Sequence, residues 1–316
     1  MEKIELSKNL PEKVHEVWNS KLKQKRSNYH ISYSQLSVFH TCKKRWYLEY
    51  YKKLAPYRAS IHSFFGTSMH ETIQEWLTVL YHDSVGSAEN MNLTKHLYEG
   101  MLKNYRIEKA KNGHQHFSNP DELKLFNLNG INILEYLKKN RTKYYPTRGL
   151  VLAGIETLLY QEISPGIFFK GFVDIVMYDK KEDMWYIIDL KTSTKGWGKW
   201  AKEDELKLSQ MRLYKIFFSK QFNIPLNKIK TEYQILKREV PVDAPYAAMQ
   251  KRIQIFKPAS GKAKVKEAYK YVQDFIEEVF DEDGKVVDEP KEASPSKNAC
   301  RFCPFLNTSH CSVGIS

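Results

Sequence analysis

Two aspartates and a lysine, Asp174, Asp189 and Lys191, sit in otherwise apolar, β-rich stretches of the run IFFKGFVDIVMYDKKEDMWYIIDLKT, from Ile167 to Thr192. A carboxylate buried alone in such a place is costly, so it must be paired or bound to a cation. Carboxylates converging from two strands are hard oxygen ligands that suit Mg2+ or Mn2+, and the backbone carbonyl of Leu190 can add another oxygen. A cation held in this way can activate a water and neutralise charge on a phosphate. Lys191 lies two residues beyond Asp189, so strand periodicity puts both side chains on one face. There the ammonium can steady the attacking water or the phosphate. His70 can supply a nitrogen ligand, which favours Mn2+ over Mg2+.

A D-x-K triplet is common by itself, and a surface ion pair at a strand end is the plain alternative. The ordered set around it is more specific. It runs Gly66-Thr67-x-x-His70, then a strand carrying Glu156, Gly171-x-x-Asp174, Asp189-Leu190-Lys191, and Gln210-x-x-x-Tyr214. Gln210 and Tyr214 are four apart and therefore neighbours on one helix surface. For Glu156 the structural and functional readings stand level. The cysteines form a second constellation: Cys42, then Cys300-x-x-Cys303, then Cys311. Four thiolates can hold a [4Fe–4S] cluster or a structural Zn2+, and His40 or His310 could replace a thiolate at zinc. The stretch Lys195-Gly-Trp197-Gly-Lys199-Trp200 either lines a nucleic-acid path or forms a lid packed on the core.

The ordered set resembles the RecB-type nuclease branch of the PD-(D/E)XK superfamily, especially its iron–sulfur members. Those include the AddB-type nuclease domain and the CRISPR-adaptation nucleases. The resemblance spans about Ile31 to Cys311. It implies that His70, Asp174 and Asp189 bind metal, that Lys191 is the family lysine, and that Gln210 and Tyr214 contact DNA or the active site. It also implies a [4Fe–4S] cluster on Cys42, Cys300, Cys303 and Cys311, fastening the N-terminal helix to the C-terminal tail. The gap from Cys303 to Cys311 is longer than is common in those relatives, and zinc is the alternative. The implied activity is a metal-dependent DNA exonuclease acting on single strands or ends in recombination, repair or replication. A structure- or flap-selective endonuclease and a non-catalytic DNA-binding recombination scaffold are the rivals.

These residues need a scaffold that gathers distant segments. The expected fold is α/β: a restriction-endonuclease-like central mixed sheet flanked by helices. Strands are expected at 151–160, 167–178, 185–192, 229–237 and 250–256. Ser32 or Ser34 caps a helix that carries Cys42 in its middle, and Thr67 or Ser68 caps one with His70 in its first turn. Asn119-Pro120-Asp121-Glu122 starts another helix, whose buried face is expected to be Leu125, Leu128, Ile131 and Leu134. Helices are also expected over 204–222 and from Val265 to Val279. The chain divides into a basic segment over 1–30 (Lys21, Lys23, Lys25, Arg26) and one nuclease domain over 31–316. Within that domain, 71–145 is a helical insertion and 299–316 the cysteine segment that joins Cys42. The least ordered stretch is expected from Asp281 to Asn298.

The net charge of +13 points to a polyanionic partner, with DNA the leading candidate. There is no membrane-length apolar run, no signal-like N-terminal core and no GxxxxGK[ST] motif. The expectation is an intracellular protein (cytoplasmic or nucleoid-associated), not membrane-bound, whose motor, a helicase or recombinase, is a separate chain.

Overall fold

The computed structural model describes residues 29–241 and 250–315. Lys21, Lys23, Lys25 and Arg26 of the expected basic segment lie outside them. A six-stranded mixed sheet forms the centre. Its strands are β1 (Tyr29–Ile31), β2 (Leu150–Ser164), β3 (Ile167–Asp179), β4 (Met184–Ser193), β5 (Ile229–Lys237) and β6 (Ile253–Phe256). β2, β3 and β4 form an antiparallel meander, β5 runs parallel to β4, and β6 closes the edge antiparallel to β5. The short β1 pairs in parallel with the start of β3, matching Ile31 to Phe169. A three-residue strand is too short to show a period, so sequence pattern does not reveal it.

The chain first forms α1 (Tyr33–Thr41) and α2 (Lys43–Trp46), then the long α3 (Ile61–His82). Ser32 caps α1 by accepting the Gln35 N–H. Cys42 is not mid-helix: its extended backbone, φ −160° and ψ 109°, separates α1 from α2. α3 begins at Ile61, earlier than expected. Thr67 and Ser68 are interior residues whose hydroxyls bond back to the Ser63 and Phe64 carbonyls, so neither is a cap.

Between α3 and β2 the chain is helical, as expected: α4 (Val85–Asn90), α5 (Leu93–Lys111), α6 (Pro120–Lys139) and α7 (Arg141–Tyr144). Asn119 caps α6 with Pro120 in its first turn. Its buried face, however, is Phe126, Gly130, Ile133, Leu134 and Leu137, while Leu125 and Leu128 are exposed. Steps of three residues drift around a helix with 3.6 residues per turn, whereas alternating steps of four and three stay on one side.

After β4 come α8 (Lys199–Glu203) and α9 (Glu205–Phe222), capped by Asp204; α10 (Lys262–Val279) follows β6. α9 and α10 cover one sheet face with Phe217, Phe218, Val272 and Phe275, and α3 with the helical segment covers the other. The stretch from Asp281 to Asn298 is mostly irregular but anchored: Asp288 accepts from Tyr47 and Lys52, and the Glu292 carbonyl accepts from the Lys44 N–H. It leads into the one-turn α11 (Lys297–Cys300).

Candidate metal centre

β3 carries Asp174 at an unusual point. Phe169 and Val173 join the core under α9, while Ile175 and Met177 join the core under α3. The period-two alternation therefore inverts across Asp174. The paired strand β2 inverts at the same level, with Ile155 in one core and Leu159 in the other. Between them Glu156 adopts a left-handed backbone, φ +47°, rare for a residue with a side chain. Register places Glu156 opposite Asp174, between the pairs Ile155–Ile175 and Thr157–Val173. Irregularities of this kind re-aim side chains within a ladder.

Five of the expected residues meet here. Asp174 Oδ2 accepts the Leu190 N–H at 2.7 Å and lies 3.5 Å from His70 Nδ1. Lys191 Nζ lies 2.7 Å from Asp189 Oδ2. That contact is an ion pair outside hydrogen-bond geometry, so the buried Asp189 Oδ2 has no hydrogen-bond donor. Gln74, one turn beyond His70 on α3, donates from Nε2 to Glu156 Oε1 at 2.7 Å and to the Asp174 carbonyl at 3.2 Å. Sequence reasoning missed Gln74, although its i+4 spacing from His70 on an inward face was the available signal.

Tyr214 reaches the site from α9. Its pKa is raised by burial and further by Asp189. Gln210 Nε2 donates to the Tyr214 hydroxyl at 3.3 Å. The backbone of Leu190 engages Asp174 through its N–H, and the role expected of Leu190 was through its carbonyl.

The electrostatics call for a cation. Burial, then the neighbouring Asp189, hold the Asp174 pKa well above the ordinary carboxylate value. Burial also raises Asp189 and Glu156, with Lys191 opposing the rise at Asp189. Burial alone would pull Lys191 down, but Asp189 and Asp174 together outweigh it and raise its pKa. One ammonium therefore serves a group of three carboxylates. His70 is pushed down to about 4 by burial and then by Lys191, so its ring is neutral at pH 7, the form that ligates metals. Among the described residues no group of three or more His, Cys, Asp or Glu side chains stands at metal-holding separations. The chemistry of the donor set nevertheless fits a divalent cation: Asp189 Oδ2 has no donor, Asp174 is adjacent, and the imidazole is neutral.

The four cysteines are free thiols that line one small pocket, with Ala293, Pro295, Ala299, Leu306 and Gly314 completing the wall. His40 is engaged elsewhere, with Nε2 2.8 Å from the Tyr271 carbonyl, and His310 packs edge-on to Phe305. The donor set around the pocket is thus sulfur alone.

A strand carboxylate pair, a lysine on the same strand and a helix-borne histidine are the parts of a phosphodiesterase centre. The chain belongs to the PD-(D/E)XK nuclease superfamily, whose family profile matches residues 30–308. Nucleases of this superfamily generally use Mg2+ or Mn2+. No curated protein matches the chain. One solved structure, titled "Crystal structure of SSO0001", is 13% identical, covers 96% of each chain and has a TM-score of 0.38, a likeness too distant to inform activity. Among the described residues no helix is long and apolar enough to cross a membrane.

Proposed function

We propose that the protein is a divalent-metal-dependent deoxyribonuclease. The observation that carries this reading is the buried Asp189 Oδ2, without a donor, beside Asp174 and Lys191. Asp174, Asp189 and His70 would hold Mg2+ or Mn2+, with the Leu190 carbonyl as a further oxygen. The bound cation supplies charge neutralisation and a water of lowered pKa. Lys191 sits beside Asp189, where its ammonium orients the attacking water or the scissile phosphate. Glu156, fixed by Gln74, extends the acidic wall, and Gln210 with Tyr214 flanks the site from α9.

The RecB-type resemblance supports an exonuclease acting on single strands or ends, in recombination, repair or replication, alongside a separate helicase or recombinase. It also supports a [4Fe–4S] cluster on Cys42, Cys300, Cys303 and Cys311. The all-sulfur lining of their pocket favours that cluster over a mixed Cys/His zinc site. A non-catalytic scaffold has no chemical need for the full set of Asp174, Asp189 and Lys191. The test is incubation of metal-loaded protein with end-labelled linear and with circular single-stranded DNA. Loss of the linear substrate alone is expected. Cutting of circles would transfer the reading to an endonuclease, and cleavage of neither would remove the nuclease reading.

A further inference from the structure

The strand that carries Asp189 and Lys191 continues, in register, toward a cationic edge. Lys191 pairs with Ile235 and Ser193 with Lys237. The ladder then runs on through Arg238 N–H to the Ser193 carbonyl and Lys237 N–H to the Arg252 carbonyl. Paired residues point to one face and alternate along the strand. Asp189, Lys191 and Ser193 therefore share a face with Lys237 and Arg252. By strand spacing the Lys237 Cα lies about 8 Å from that of Lys191.

The loop after β4 is clamped over this face. Gly196, φ +96°, approaches so closely that a Cβ would sit 2.8 Å from Gln254 Oε1 and 3.0 Å from Lys237 Cδ. Trp197 N–H donates to Gln254 Oε1, and Gln254 Nε2 donates back to the Trp197 carbonyl. The exposed Lys195 is thereby fixed beside Lys237, and both line an open groove with Glu239, Val240 and Pro241. Lys251, also exposed, adjoins them: Lys237 is lowered in pKa by burial, then by Arg252 and Lys251. Cations gathered this closely repel one another, and a bound polyanion relieves that repulsion.

The two tryptophans of the loop have separate fates. The Trp197 ring packs on Tyr233 and Phe256, with Lys207 Nζ 4.8 Å from its centroid, so it serves the fold. Trp200 is 87% exposed. An indole left in water on the segment that leaves the site offers a stacking platform for an unpaired base.

We propose that Lys195, Lys237, Lys251 and Arg252 bind backbone phosphates of single-stranded DNA next to the phosphate at the metal centre, and that Trp200 stacks on one of its bases. This rests on the nuclease reading and names the surface that guides the strand.

The test is equilibrium binding of the full chain to a labelled oligothymidylate in EDTA, as a function of salt. Lys195→Ala/Lys251→Ala should make the log–log salt slope shallower by about 1.4, the loss of two single-strand phosphate contacts. Trp200→Ala should weaken single-strand binding roughly 5- to 150-fold while leaving duplex binding little changed, and Trp200→Phe should restore most of it. An unchanged slope would overturn the proposal. So would an equal change in Lys266→Ala/Lys270→Ala on the exposed face of α10, because the effect would then be net charge alone. Equal losses on single-stranded and duplex DNA would remove the role of Trp200. Wild-type cleavage with unaltered variant binding rejects only this surface, whereas absence of wild-type cleavage rejects the nuclease reading itself.

Discussion

Tyr214 lies directly over Gly171: a Cβ at residue 171 would stand 2.9 Å from Tyr214 Cε1. The glycine three residues before Asp174 therefore has a steric reason. It admits the ring that α9 sends toward the carboxylates, and Gln210 then holds the hydroxyl. Gly171→Ala should displace that ring, cost about 1–3 kcal/mol of stability as overpacking does, and lower cleavage. Tyr214→Phe keeps the ring and loses only the Gln210 bond, so its melting temperature should fall less. Thermal unfolding and cleavage rates of the two variants compare them directly.

Asp174→Ala and Lys191→Ala should each reduce cleavage at least about a hundredfold, as loss of a transition-state electrostatic contact does. Their far-ultraviolet circular dichroism should match wild type. Full activity in either variant rejects the site assignment.

Metal and pH should act on stability through the same carboxylates. The Asp174 pKa is raised in the fold above its ordinary 3.8, chiefly by burial. Above pH 3.8 the folded state therefore holds more protons than the unfolded chain, and metal-free protein loses stability as pH rises toward the raised value. Asp174→Asn removes that titration. In EDTA the variant should gain on wild type by up to about 1.4 kcal/mol per pH unit across this window. The lowered pKa of His70 works in the opposite direction but is present in both proteins. With Mn2+ added, wild type should gain melting temperature and the variant should not. A constant difference at all pH values contradicts the assignment.

Gln74→Leu should leave Glu156 Oε1 and the Asp174 carbonyl without the amide that joins them. Outer partners of metal ligands contribute roughly 10- to 100-fold in affinity or activity. The Mn2+ concentration for half-maximal cleavage should rise accordingly. An unchanged metal requirement would make Gln74 a bystander.

Anaerobically purified protein should be brown, and Cys303→Ser should bleach it. Colourless protein with one zinc per chain would assign the cysteine pocket to zinc.

The parts of the centre that follow a simple period were legible in the sequence. Asp189 and Lys191 share a face because strands alternate, and Gln210 reaches Tyr214 because helices return after four residues. The parts that break a period were not. Cys42 lies in an extended link between helices, and the exposed Leu125 and Leu128 fit a three-residue rhythm that the helix does not keep. Glu156 owes its placement to a left-handed backbone that its own type disfavours and only the surrounding ladder imposes.

The inversion of β3 at Asp174 has a mechanical meaning. One half of the strand is cemented to α9 and the other to α3, with the carboxylates at the crossing. Charge there pushes the two layers apart, and a cation draws them together. Uptake of the metal and cohesion of the two halves of the molecule thus form a single equilibrium, so whatever loosens the seam also releases the ion.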